Sequence, residues 1–317
     1  MRTIPLIDIS AAADVTREIE QASHDIGFMY IVGHGIAPKT IAQLRSAVVD
    51  YFALPIDLKS RDRISRDNYR GYIPAGFFSA NSGYDTADNY EGYKLHHEVQ
   101  VDAPICSACE LYGPNKWPDE PKHFKQYVIE YWRECDRVAT VLLGAMARIL
   151  GTAQDSFLQL FDLPLTNMTL LHYPPQIAES GGFGIHPHKD TDALTILAPD
   201  PVGGLMVKCR NAQEWISAEP PDDALIVNIG DLLELWSGGY FVSTPHKVVN
   251  TSGAERYSFP YFAVPRFDTV VKPFGAPQNE FRRSSVHVGD VSKEVWRTNW
   301  SDAKSDKSHF DLGTLED

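Results

Sequence analysis

Residues 184–197 read GIHPHKDTDALTIL, and this stretch decides how the rest of the chain is understood. Metal-capable side chains stand at every second position: His186, His188, Asp190 and Asp192. In a strand, residues i and i+2 point the same way, so a straight strand would hold all four on one face. Pro187 argues against that, because proline cannot donate to a central ladder. His186 is therefore expected on the approach, with the regular strand starting near Ala193, where apolar side chains take over. His188 and Asp190 then form an H-x-D pair at the strand's mouth, offering one nitrogen and one oxygen ligand. A third ligand must come from elsewhere. The best candidate is His246 in STPHKVVN, a strand-like run after the turn-like LWSGGYF. Two imidazoles and one carboxylate suit Fe(II) and leave positions open for substrate and oxygen. Each residue also has an ordinary reading. A lone His on an apolar strand is commonly a hydrogen-bonded core residue, and Asp192 can cap a turn.

Working outward, the runs MTLLHYPP, DALTILAPD, GGLMVKC, EWISAEP, DALIVNIGDLLELW, STPHKVVN and RYSFPYFAVP are short, apolar and split by Gly, Pro, Asp and Asn. That rhythm predicts an antiparallel sandwich or barrel from about residue 165 onward. Upstream the period is helical. Val15, Ile19, Ala22 and Ile26 share one helical face, as do Ile41, Leu44, Val48 and Phe52, with Pro38 at the second helix's start. Two short strands, IPLID and FMYIVGHG, flank the first of these helices. The longest helical pattern covers residues 120–151, with an apolar stripe through Phe124, Val128, Trp132, Cys135, Val138, Leu142, Met146 and Ile149. Residues 61–119 read as irregular, rich in Tyr, Phe, Gly and Pro, and long irregular segments tend to be binding loops.

In ERYSFPYFAVP, Arg256 and Ser258 are two apart and share a strand face. Arginine grips a carboxylate with two parallel hydrogen bonds, and a neighbouring hydroxyl adds a third. The pair suits the far carboxylate of a dicarboxylic cosubstrate; its ordinary reading is a surface arginine beside a solvated serine. The 317-residue chain is 43% hydrophobic and carries a net charge of −13, so a large core is expected and nucleic acid is a poor partner. The N-terminus lacks the features of a signal peptide, and the run VATVLLGAMARIL is too short to span a bilayer; a cytoplasmic location with no membrane partner is expected. Cys106 and Cys109 form C-x-x-C without the second pair of a zinc site, and read as unrelated thiols.

With these residues in hand, the chain resembles the isopenicillin N synthase-like family of non-haem iron, mostly 2-oxoglutarate-dependent, oxygenases. IPLIDIS, DIGFMYIVGHGI and YFALPIDLKSR resemble its N-terminal region, RGYIPAGF and NYEGYKLHHEV its middle, and LLHYPP, HKDTDALTIL, GGLMVK and RYSFPYFAVP its catalytic barrel. The resemblance implies an α+β fold: a distorted double-stranded β-helix, or jelly roll, with N-terminal and long central helices packed on it. The implied organisation is an N-terminal region over 1–119, a supporting helix and connection over 120–164, the jelly-roll core over 165–270 and a C-terminal helix or tail over 271–317. It fixes the Fe(II) ligands as His188, Asp190 and His246 and leaves His186 and Asp192 as neighbours. The 2-oxoglutarate clamp carries over to Arg256 and Ser258, with a supporting hydroxyl from Tyr173. Lys189 and Lys247 depart from the family's usual residues, and strand alternation should turn both away from the metal.

The implied reaction consumes O2 and oxidises a C–H bond of a small-molecule substrate, with release of succinate and CO2. By resemblance, Tyr69, Tyr72, Phe77, Phe78, Tyr84, Tyr90 and Tyr93 lie over the site's mouth, and Arg70, Lys94 and His96 could meet a substrate carboxylate. Packing of a long loop is an equal reading for most of the aromatics. Two alternatives stay open: an oxidase of the same fold that uses no 2-oxoglutarate, and a non-enzymatic metal- or ligand-binding protein. A cupin would want His186 and His188 together with a nearby Glu, which Asp192 replaces poorly. Oligomeric state is not visible in the sequence.

Overall fold

The apolar rhythm after residue 165 resolves into two facing sheets. The computed structural model describes residues 3–10, 14–78, 88–176, 183–209, 214–250, 252–275, 281 and 283–300. Tyr84 and the tail over 301–317 lie outside them. The chain opens with β1 (Leu6–Asp8), α1 (Thr16–Asp25), β2 (Phe28–Val32), α2 (Pro38–Phe52) and the single turn α3 (Ile56–Lys59). Then come β3 (Gly71–Ile73), β4 (Glu91–His96), α4 (Pro104–Ala108), α5 (Phe124–Ile149) and α6 (Gln154–Leu158). The β-rich half runs β5 (Asn167–Tyr173), β6 (Ile185–His188), β7 (Leu194–Leu197), β8 (Leu205–Val207), β9 (Ile216–Ser217) and β10 (Leu225–Ile229). It continues through α7 (Asp231–Trp236), β11 (His246–Val248), β12 (Arg256–Ser258) and β13 (Tyr261–Ala263), and the described helices end with α8 (Val288–Thr298).

The major sheet has the order β1-β2-β10-β7-β13-β5-β4-β3, with β12 also paired to β5; the minor sheet has the order β6-β11-β8-β9. Phe28, Tyr30, Leu171, Tyr173, Leu197, Leu205, Val207 and Val248 fill the space between the sheets. The other face of the major sheet is covered by helices. α5 contributes Phe124, Val128, Tyr131, Cys135, Val138 and Leu142, all fully buried, and α2 contributes Leu44, Val48 and Tyr51. Each large apolar side chain removed from water in this way stabilises the fold by about 1.5–3 kcal/mol. These layers are the jelly-roll core and supporting helices that the sequence implied. Among the described residues, no helix is long and apolar enough to cross a membrane.

The architecture corrects two expectations. Residues 61–119 are not irregular throughout: β3 and β4 extend the major sheet, and β4 pairs with β5 along its whole length. The signal was hidden because both faces of β4 carry polar groups, Glu91 on one and Lys94 and His96 on the other. In the opening stretch the regular strand begins beside Ala193 as expected, but the approach that carries His186 is itself a strand. The stretch forms β6 at the edge of the minor sheet and β7 inside the major one, so the chain crosses between sheets at Asp190. Pro187 is tolerated within β6 because an edge strand has one unpaired side.

Candidate active site

The crossing brings three donors together. His246 on β11 lies directly opposite His188 on β6. Asp190 follows where the chain leaves β6. Its Oδ1 stands 3.8 Å from His188 Nε2 and 3.7 Å from His246 Nε2. Ligand atoms of the three residues all lie within 4.8 Å of one another. A first-row metal sits about 2.0–2.2 Å from such ligands, so separations of this order fit one shared ion.

The remaining polar atoms of the trio are tied elsewhere. His188 Nδ1 donates to the His186 carbonyl at 2.8 Å, and His246 Nδ1 to the Thr244 carbonyl at 3.2 Å. That leaves each Nε2 lone pair facing inward, the usual way a protein orients metal-binding imidazoles. Burial lowers the pKa of His188, which keeps its ring neutral and able to ligate. Asp190 Oδ2 accepts from Thr195 Oγ1 at 2.5 Å and from Asn228 Nδ2 at 2.8 Å, which frees Oδ1 for the imidazoles. Burial works against ionising Asp190, but His246, His188 and these two donors outweigh it, and its pKa lies below the usual carboxylate value.

Asp192 is buried behind Asp190 and also lies 2.8 Å from Thr195 Oγ1. One hydroxyl proton cannot serve two carboxylates. Burial, with the charge of Asp190 behind it, pushes Asp192 well up, so Asp192 carries the second proton. Gly230 is required beside it: a Cβ there would come 2.0 Å from Asp192 Oδ1. His186 does not join the trio. Its ring bonds Asp88 Oδ1 at 2.6 Å.

Arg256 and Ser258 lie opposite Tyr173 and Leu171 across the β12–β5 ladder. Arg256 is only 2% exposed. Its Nε donates to the Gly203 carbonyl at 2.6 Å, and its guanidinium lies 4.7 Å over the Tyr173 ring. Nη1 is buried and finds no hydrogen-bond partner among the described residues. A buried charged donor left open is expensive unless something binds it, and a carboxylate between Arg256 and Ser258 would complete it. Burial raises the Tyr173 phenol to about 12, with Arg256 pulling it back, so it stays a neutral donor at ordinary pH. Gly184 permits this packing, since a Cβ there would press to 2.8 Å from the Tyr173 ring.

Other expected residues divide. Lys189 turns toward Glu234 at 3.9 Å, and Lys247 lies over the Trp215 ring at 4.4 Å; both point away from the donors, as alternation predicts. Tyr72 and Tyr93 are not at the mouth. They pack outside the sheet, their rings 6.4 and 5.0 Å from Tyr51. Tyr69 stacks on Trp296 of α8 at 4.7 Å, while Phe77 and Phe78 meet Trp300 edge-on. Cys106 and Cys109 are both free thiols. The sequence reading missed Thr195 and Asn228 as supports of Asp190. Asn228 had a signal, being the one polar residue in the run LIVNI.

Residues 4–120 match the N-terminal region described as "non-haem dioxygenase in morphine synthesis N-terminal", and residues 165–265 match the 2OG-Fe(II) oxygenase superfamily. The chain is 30% identical over 289 residues to the 2-oxoglutarate-dependent dioxygenase citB of Monascus ruber, covering 85% of this chain and 87% of that one. It is 29% identical to the homoarginine-6-hydroxylase of Arabidopsis thaliana, over 86% of this chain and 87% of that one. Among solved structures, the full-length Neurospora crassa protein crystallised with α-KG and thymine superposes with a TM-score of 0.80 at 25% identity, covering 92% of this chain and 96% of that one.

Proposed function

The chain belongs to the 2OG-Fe(II) oxygenase superfamily, and we propose that His188, Asp190 and His246 hold its iron while Arg256, Ser258 and Tyr173 anchor its 2-oxoglutarate. The activity is that of an iron- and 2-oxoglutarate-dependent dioxygenase. One observation carries the residue assignment. Three inward-facing donors converge, and each has its outer polar atom already committed to the protein. Two nitrogens and one oxygen are a donor set that suits Fe(II) and leaves half of an octahedron open.

When bound, the iron with 2-oxoglutarate and O2 supplies an oxidant able to take hydrogen from an unactivated C–H bond, with release of succinate and CO2. The chain's own residues do the rest. The backbone carbonyls of His186 and Thr244 hold both imidazoles in the metal-binding tautomer. Thr195 and Asn228 fix the Asp190 carboxylate so that it presents one oxygen. Arg256, held by Gly203 and the Tyr173 ring, offers its unpartnered Nη1 to the far carboxylate of 2-oxoglutarate. The apolar layer of Leu171, Leu197, Leu205, Val207 and Val248 keeps water from this space. The substrate is a small molecule that docks in the remaining open sector.

Succinate release in the presence of Fe(II), 2-oxoglutarate and O2 tests this reading. It should stop with a chelator and return with Fe(II), and Asp190→Ala should abolish both iron binding and release. Iron-dependent release that survives Asp190→Ala would remove the assignment.

A further inference from the structure

β4 and β5 carry a second set of buried polar groups on the face that includes Tyr173. Along β5 that face runs Tyr173, Leu171, Thr169, Asn167, and Lys94 on β4 lies opposite Thr169. Lys94 is half-buried, and its ammonium donates to Asn167 Oδ1 at 2.6 Å and to Thr169 Oγ1 at 2.9 Å. It lies 5.3 Å over the Phe262 ring, and Phe262 pairs across the sheet with Thr195, the support of Asp190. Lys94 therefore borders the proposed iron site. An ammonium has three donors, and the described residues take two, both with neutral groups.

Its neighbours share the deficit. His96, two residues along and on the same face, is 4% exposed, and its Nε2 is buried without a partner among the described residues. Arg70, which adds to the positive charge felt by His96, is 2% exposed. It bonds only the neutral Leu111 carbonyl and Asn68 Oδ1, with Nε left over. No described carboxylate forms an ion pair with Lys94 or Arg70, although the chain has a net charge of −13. Nearby Asp190 is committed to the iron. Burial moves the Lys94 ammonium down to about 7, with Asp190 and Asp192 pulling it back up. Such a group gains most from an anion that binds beside it and stays.

We propose that the substrate is a carboxylic acid, held by a charge-assisted hydrogen bond from Lys94 Nζ to its carboxylate, with His96 on the same face of β4 beside it. This rests on the iron and 2-oxoglutarate assignment above and adds the substrate class. His96 bonds the Tyr69 backbone, and its free Nε2 is then an acceptor. It meets an N–H or O–H of the substrate rather than the carboxylate.

The test uses the full chain loaded with Fe(II) and saturating 2-oxoglutarate, without oxygen. The visible charge-transfer band of the chelated 2-oxo acid reports loading. If that band is absent in the unmodified protein, the cofactor assignment has failed, independently of the substrate class. With the band present, small amino, aryl and alkyl carboxylic acids are compared by equilibrium binding with their methyl esters and with amines of the same skeleton. At least one acid should bind tenfold or more tighter than both counterparts. Lys94→Met should erase that margin, and Lys94→Arg should keep most of it. Thermal melting checks that both variants fold. A panel in which no acid shows the margin, weak or absent binding included, overturns the proposal. So does a margin that survives in Lys94→Met.

Discussion

A buried and a half-buried lysine flank the same pair of strands, and their surroundings are opposite. Lys59 packs on the helix-covered side of β3 and β4, where its ammonium meets Glu91 Oε2 at 2.7 Å and the Phe52 carbonyl at 2.9 Å. Glu91 in turn accepts from the Tyr72 hydroxyl at 2.6 Å and bonds His172 Nδ1 at 2.8 Å. The Lys59 ammonium thus has its counter-charge from the chain itself, although His172 Nε2 is left without a partner among the described residues. Lys94, three residues after Glu91 and therefore on the other face, has only neutral partners. Arg256 shares that inner side and likewise keeps an open donor. A buried charge that the protein completes belongs to the scaffold; one that it leaves open marks where a ligand finishes the structure.

The largest effect should come from breaking the closed side. Glu91→Ala leaves the Lys59 ammonium buried without its counter-charge, which costs about 3–5 kcal/mol of folding stability. Chemical denaturation at neutral pH measures it. Burial acts to raise the pKa of Glu91, but His172, Lys59 and Tyr72 outweigh it, and the result lies below the ordinary glutamate value. A carboxyl with a depressed folded pKa stabilises above its unfolded value and loses that contribution as pH falls through the folded one. The gap between the two proteins should therefore narrow in acid. A gap that stays constant from neutral to acid pH would mean that ionised Glu91 is not what the fold uses.

On the open side, Arg256→Ala should act on ligand affinity rather than on the fold's charge balance. Removing one partner of a buried charged pair costs about 2–5 kcal/mol, or roughly 30-fold to several thousand-fold in 2-oxoglutarate affinity. Arg256→Lys keeps the charge but loses the two-pronged geometry, so it should recover only part of the loss. Titration of 2-oxoglutarate into the Fe(II)-loaded protein gives both numbers. Unchanged affinity in Arg256→Ala would place the anchor elsewhere.

The same contrast explains what the sequence made legible. His188, Asp190, Arg256 and Ser258 stand at i and i+2, a spacing that survives translation into any strand, and His246 sits in a recognisable apolar run. β4 was opaque because a strand is read from apolar–polar alternation, and here Glu91 is half-buried on one face while Lys94 and His96 occupy the other. The sequence named Lys94 as able to meet a substrate carboxylate and gave Lys59 no role; the pairing of β4 with β5 is what places Lys94 on the face away from Glu91 and its partner Lys59. His186 was ambiguous too. Its partner Asp88 is 98 residues away, so no local pattern could assign it to the scaffold. Thr195 stands in LTIL as one β-branched residue among apolar neighbours, and its hydroxyl acquires meaning only once the chain has crossed sheets at Asp190.

Thr195 also supplies the subtlest way to sharpen the comparison, because it touches both regimes. Its hydroxyl donates to Asp190, whose free oxygen faces the open site, and lies against Asp192, which is sealed behind Gly230. Thr195→Val keeps the shape and removes the hydrogen bonds. Asn228 still orients Asp190, so the carboxylate is loosened rather than lost. Losing a hydrogen bond that orients a metal ligand typically weakens metal affinity by about 10–100-fold, and the lower end is expected here. Anaerobic Fe(II) titration measures the shift. Asp192 would meanwhile face a methyl group instead of an acceptor, and its proton would have to find another partner in a buried site. A Thr195→Val protein that binds Fe(II) as tightly as the unmodified chain would show that Asn228 alone sets the carboxylate, and that the Thr195–Asp192 contact belongs to the closed scaffold.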